Sequence, residues 1–227
     1  MDTGSILFPL WISFKLAFAT TVVLLVIGSF LAYLLVYRKV PGRAMVEALI
    51  SLPIVLPPTV LGFYLLIAMG PKGPLGRAWE NLFGSALLFT FTGIVIASIF
   101  YSLPFAVQPL KAAFSKIDRK VLENAYVLGL SPTKAFFRVI IPNSTAGFAA
   151  AAILVFLHTM GEFGVILMVG GSIPGETRVA SIAVYEAVES LRYRDAWIMS
   201  GVLALLSFTF LVITNTLSRG TYDGFNG

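Results

Sequence analysis

The residues able to do chemistry in this chain are few. There is one histidine, His158, no cysteine, and 27 charged residues among 227, of which 16 are basic and 11 acidic. One imidazole and no thiol rule out a multi-histidine or cysteine-based metal centre and any thiol chemistry. The chain has no G-x-x-x-x-G-K-[ST] loop, so P-loop nucleotide hydrolysis must belong to another protein if it is needed. No nucleophile–base pair stands out either. An intramembrane enzyme is therefore set aside, and no catalytic residue, cofactor site or metal site is expected.

What remains are polar groups embedded in apolar sequence. Glu162 lies in Met160-Gly161-Glu162-Phe163-Gly164. An unpaired carboxylate in hydrocarbon costs about 3 kcal/mol, so Glu162 must meet a partner, an interface or water. Its open roles are a structural pair or cap, or else a part in a gate or in contact with a partner protein. Gly161 and Gly164 beside it permit close helix approach or a local break. His158 is either a packed, hydrogen-bonded histidine or a group lining a path. Thr59, Thr90, Thr92, Ser98 and Ser102 can line a polar route or bond back to their own helices. Pro57 and Pro58, with Pro53, read as a fixed bend beside such a path rather than a ligand site.

Those side chains must be positioned by membrane-spanning elements. Apolar residues make up 58% of the chain and charged residues 12%, with a mean hydropathy of +0.90. Soluble domains run near ~45–50% and ~25%, so the chain is an integral membrane protein and nucleic-acid binding is a poor explanation of its +5 charge. Five apolar stretches are expected to span, at 8–37, 46–69, 85–107, 145–169 and 196–217, within one domain covering 1–227. The first is about 45 Å long as a helix against a hydrocarbon core of about 30 Å, so it must tilt or project. Gly70 to Gly76 reads as a turn, and Gly170 to Asp195 as a connection whose helical part, from Ser181 onward, lies outside the bilayer or partly re-enters it. With no Lys or Arg before Lys15 and no small-residue cleavage site, the first stretch is not expected to be a cleavable signal.

Basic residues set the orientation. Arg38, Lys39, Arg43, Lys111, Lys116, Arg119, Lys120, Lys134, Arg138 and Arg219 fall on one side, and Lys72, Arg77, Arg178, Arg192 and Arg194 on the other. The two-to-one excess predicts a cytoplasmic 38–43 loop, 108–141 loop and C-terminus, with the N-terminus outside. The 108–141 loop holds eight of the 27 charges, and at 34 residues it is too long for a mere connector. A first short helix is expected there from Lys111 to Asn124 or beyond, ending at Gly129, and a second capped by Ser131 with Pro132 at its first position. Exposed, mixed in charge and apolar character, this loop is a docking surface candidate.

Glu123-Asn124-Ala125-Tyr126-Val127-Leu128-Gly129, followed thirteen residues later by Pro142 in Val139-Ile140-Ile141-Pro142, resembles the Glu-Ala-Ala motif of bacterial ABC importer permeases. Asn124 departs from it by replacing one Ala. Pro41 to Leu66, Met160 to Gly164 and Ser172 to Arg178 are similar to molybdate and tungstate permeases of the ModB type, in the short form without the additional N-terminal span of sulfate permeases. The Gly-Glu-Phe-Gly part is shared with sulfate permeases and marks only the oxyanion group. The resemblance implies an all-α, five-helix, MetI-like type I importer fold in the cytoplasmic (inner) membrane of a prokaryote. It also implies a homodimer, two cytoplasmic ATPase subunits and an extracytoplasmic molybdate/tungstate-binding protein, importing the oxyanion across the lipid bilayer by alternating access. Glu123, Ala125, Gly129, Leu130, Ser131, Pro132 and Pro142 would couple to the ATPase. Pro57, Pro58, Thr59, His158, Gly161, Glu162 and Gly164 would lie at the gate or path, where Glu162 would repel a dianion and so not bind it. Glu176 and Arg178 would dock the binding protein, with helix capping or a mutual salt bridge as alternatives. A permease for sulfate or another small solute is the alternative within the family. An ion-coupled secondary transporter would need buried acidic or histidine relays and inverted repeats, and the spans offer few such groups.

Overall fold

The structure, a computed structural model, describes residues 4–222, with side chains described from 7 to 212. Among the described residues every regular element is helical. A continuous apolar run gives α1, Gly4–Tyr37, with Pro9 confined to its opening turns. The stretch expected to span at 46–69 is instead two helices, α2 (Arg43–Val55) and α3 (Pro58–Met69), bent by 115°. The cause is the proline pair. Leu56 precedes Pro57, and Pro57 precedes Pro58, so both are forced to extended backbone, each with ψ 136°.

The Gly70–Gly73 turn is followed at once by a helix, α4 (Pro74–Phe83), so the expected turn through Gly76 is too long. Pro74 stands in the first turn of α4, where its missing N–H costs nothing. The third apolar stretch becomes α5 (Phe91–Ser115), which starts later and ends later than 85–107. Thr90 caps it by accepting a hydrogen bond from Gly93 N at 3.0 Å. Pro104 and Pro109 lie inside it, and so the first residues of the 108–141 segment continue the helix. The break after Ser115 divides the short helix expected from Lys111 to Asn124 or beyond.

Beyond α5 come α6 (Arg119–Val127), α7 (Pro132–Ala135), a π-helical turn (Phe136–Ile140), α8 (Ile141–Asn143) and α9 (Thr145–Met160). The chain then breaks at 161–163 and resumes in α10 (Gly164–Gly170), so 145–169 is not one helix. The last elements are α11 (Ala180–Glu189) and α12 (Tyr193–Tyr222). Arg219 lies on α12 with its side chain outside the described residues. Among the described residues three helices are long and apolar enough to cross a bilayer, and up to five spans result if each bent pair counts as one.

The centre of the molecule is the mutual packing of α1, α5 and α9. Small residues let these helices approach: a Cβ on Gly28 would sit 2.9 Å from Ala106 Cβ, and one on Gly147 would overlap Ala113 Cβ. Beside them α3 packs on α10 through Gly62, where a Cβ would come within 2.9 Å of Met168 Cβ. Hydrogen bonds tie the two ends. At one, Tyr37 Oη donates to Phe114 O at 2.7 Å, and Glu47 Oε1 accepts from Arg43 Nε and Lys111 Nζ, each at 2.8 Å. At the other, Ala180 N donates to Ser13 Oγ at 2.8 Å and Phe89 N to Val169 O at 3.0 Å.

Candidate functional site

The break between α9 and α10 exists because Gly161-Glu162-Phe163 leaves the helical path, with Phe163 at φ −126° and ψ −66°. Glu162 does not face water: it is 3% exposed. Its Oε2 accepts a hydrogen bond from Ser98 Oγ at 2.7 Å, and its backbone carbonyl accepts one from Ser181 Oγ at 2.5 Å. One turn back, His158 Nδ1 lies 2.9 Å from Ser102 Oγ, which is 3.1 Å from Thr159 Oγ1. Two i,i+4 pairs are therefore matched: Ser98 and Ser102 on α5 meet Glu162 and His158 across the helix interface. The imidazole is also stacked on Phe105 at 4.1 Å and lies 4.7 Å from the Tyr101 ring. Glu162 Oε1 is buried with no hydrogen-bond partner among the described residues.

Next to these pairs is a cavity of about 370 Å³ lined by Pro58, Thr59, Tyr101, His158, Gly161, Glu162, Phe163 and Gly164. Six residues expected at a gate or path thus come together from α3, the 161–163 break and its flanking helices. Pro57 is not in the wall; it caps α3 and holds the bend. Gly164 is what brings α3 in, since a Cβ there would sit 2.9 Å from Pro58 Cβ. Tyr101 was missed because a tyrosine in a span is unremarkable until its neighbours are known. Ser98 and Ser102 were foreseen as hydroxyls that line a route or bond back to their own helices, not as partners across an interface, although their spacing of four matches that of 158 and 162.

The second group of residues forms a separate surface. Asp118 caps α6 by accepting a hydrogen bond from Lys120 N at 2.9 Å. Leu122 turns inward onto the cluster of Phe114, Ala135 and Ile140 and Ala125 is buried, while Glu123 is exposed. Gly129 has φ +82°, with Leu130 N bonded to Ala125 O and Gly129 N to Tyr126 O, both 3.0 Å. This is a Schellman ending, which requires a left-handed residue at the glycine. Ser131 Oγ then accepts from Lys134 N at 3.4 Å with Pro132 opening α7. Pro142 cannot donate to the carbonyl four residues back; the wider π turn before it, closed by Ile141 N to Phe136 O, accommodates its ring. Val127 and Leu128 project from the end of α6 at 86% and 80% exposure.

Glu176 and Arg178 are not paired with each other. Arg178 Nη2 binds Glu186 Oε2 of α11 at 2.7 Å, and Glu176 is exposed in the preceding turn. Thr177 between them was overlooked. It is fully buried, donating to Gly170 O at 2.7 Å and accepting from Ile173 N at 3.0 Å, and so it holds the turn.

Residues 24–221 match the family described as binding-protein-dependent transport system inner membrane components. The chain is 47% identical over 200 residues to the molybdenum transport system permease protein ModB of Azotobacter vinelandii, covering 88% of each chain. It is also 32% identical over 200 residues to a probable sulfate transport system permease protein of Chlorella vulgaris, covering 88% of this chain and 75% of that one. In fold it resembles a bacterial alginate ABC transporter (TM-score 0.77, 17% identity, 97% of this chain and 80% of the other). It is similarly close in fold to the MetNI methionine ABC transporter (TM-score 0.69, 16% identity, 95% of each chain). The chain belongs to the family of binding-protein-dependent transport system inner membrane components: it is a multi-pass permease subunit of the cytoplasmic membrane, related to the ModB type and not itself an enzyme.

Proposed function

We propose that this chain forms the translocation path of a molybdate or tungstate importer. Two copies would assemble with two cytoplasmic ATPase subunits and an extracytoplasmic oxyanion-binding protein. The observation that carries the substrate assignment is the 47% identity to a molybdenum permease over 88% of both chains. The 32% identity to a sulfate-type permease keeps sulfate as the second reading.

The mechanism follows from the two surfaces. The end with Arg38, Lys39, Arg43 and Lys111 is assigned to the cytoplasm by its basic excess. There α6 offers Glu123, Val127 and Leu128 to the ATPase, with Gly129, Leu130, Ser131, Pro132 and Pro142 fixing the helix rather than touching the partner. Leu122 packs α6 against Phe114 of α5, so a push on α6 is delivered to the helix that carries Ser98 and Ser102. Those serines hold the 161–163 break, so the cavity at Glu162 and the lever at α6 share one rigid element. Glu162 acts as a latch that ties α5 and α11 to the break, and Glu176 and Arg178 lie at the opposite, outer end for the binding protein. Alternating access then means two packings of these helices, each favoured by a different partner state. The test is ATP hydrolysis by the reconstituted complex with binding protein. Molybdate and tungstate should stimulate it and sulfate should not; stimulation by sulfate alone refutes the proposal.

A further inference from the structure

An apolar groove of about 650 Å³ runs along one face of α1. Leu25, Val26, Phe30 and Tyr33 form one wall, at spacings that share a helical face, and Phe136 and Phe137 of the π turn form the other. Val26, Phe30 and Phe137 are 70%, 61% and 61% exposed. The groove has one charged residue, Arg38, at its end. Arg38 also lines a second cavity of about 590 Å³, whose other charged residues are Lys39, Arg43, Arg119 and Glu123. Arg43 is paired with Glu47 at 2.8 Å, a carboxylate it shares with Lys111. Among the described residues Arg38, Lys39 and Arg119 make no ion pair.

An apolar trough that opens into a cluster of unpaired cations matches one kind of molecule. We propose that the two cavities form a single site for an anionic phospholipid, with an acyl chain in the α1 groove and the phosphate at Arg38, facing the basic cavity. From Val26 to Arg38 is about 18 Å along the helix, close to one leaflet of a hydrocarbon core of about 30 Å. Arg38 directly follows the last residue of α1, the depth at which a headgroup lies. Basic pockets beside membrane-spanning helices recognise acidic headgroups in this way. A second copy of the chain is a poorer occupant, because a two-fold contact through this face would set one basic cluster against the other. A zwitterionic phospholipid would fill the groove and offer the same phosphate, but its cationic headgroup would be repelled by the unpaired Lys and Arg side chains.

The site is tested on the purified full-length chain by native mass spectrometry after exchange into micelles holding equal phosphatidylglycerol and phosphatidylcholine. The wild type should retain phosphatidylglycerol preferentially. Arg38→Gln should lower that preference about fivefold, the share of one basic side chain near an anionic lipid. Val26→Trp, which fills the groove and leaves every cation in place, should lower retention of both lipids; melting temperatures of both variants show that they are folded. Equal retention of the two lipids by the wild type overturns the proposal. So does a preference untouched by both variants, which places the lipid elsewhere. Displacement of phosphatidylglycerol by inorganic phosphate marks a free-anion site and overturns it, as does a dimer formed through this face that excludes lipid. None of these readouts depends on the transported solute.

Discussion

At the scale of single residues, the most informative group is Glu162, a carboxyl with one oxygen on Ser98 and one without a partner. Glu162→Ala strands the Ser98 hydroxyl and enlarges the cavity, and should cost about 1–3 kcal/mol, seen as a lower melting temperature in detergent. Glu162→Gln keeps the shape and an acceptor and should melt within a degree or two of the wild type (~0.5 kcal/mol or less). Combining Ser98→Ala with Glu162→Ala should cost clearly less than the two single losses added, because the pair is one interaction. Full additivity would mean that the two side chains do not act on each other. The sequence made Glu162 and His158 legible as odd polar groups in apolar surroundings, since burial of such groups demands partners. It did not reveal the partners. Serine satisfies itself on its own helix as readily as across an interface, as Thr21 does here by donating to Ala17 O at 2.6 Å. Only the mutual rotation of α5 and α9 decides between the two.

At the scale of elements, punctuation residues were the readable part. Gly129, Ser131 and Pro132 mark the end of α6 and the start of α7 because left-handed backbone, side-chain capping and a fixed φ are local properties. Gly129→Val should destabilise that junction by about 1–2 kcal/mol and loosen α6, measured as faster hydrogen exchange over 119–130. Leu128→Asp should leave hydrogen exchange unchanged and weaken co-purification with the ATPase subunit by about tenfold, or ~1.4 kcal/mol. If the ATPase binds Leu128→Asp as well as wild type, α6 is not its docking helix. Helix interruption was harder to read. The prolines at 57 and 58 announced a bend but not its 115°, and Gly161 and Gly164 allowed either a break or close helix approach after Met160 without deciding between them. Close packing supplies that information: Gly62→Leu, forced against Met168 and Val165, should cost about 1–3 kcal/mol by overpacking and lower the melting temperature.

At the scale of the whole molecule, composition alone separated a bilayer protein from a soluble one, and the uneven distribution of Lys and Arg suggested which end faces which compartment. The ion pairs of Glu47 with Arg43 and Lys111 gather the basic residues of two distant segments at one end, as a single cytoplasmic face requires. The natural absence of cysteine makes this orientation directly testable. In intact cells a membrane-impermeant maleimide should label Lys72→Cys and spare Lys116→Cys, which should react only after permeabilisation; the reverse pattern would invert the topology. Among the described residues no cationic cluster lines the cavity at Glu162, so the proposed cargo has to be tested on the assembled complex. The decisive measurement is therefore uptake of radiolabelled molybdate by proteoliposomes holding this subunit with its ATPase and binding protein. Uptake should require ATP and fall with excess tungstate while persisting in excess sulfate; sulfate competing as well as tungstate would contradict the assignment of this chain to molybdate or tungstate import.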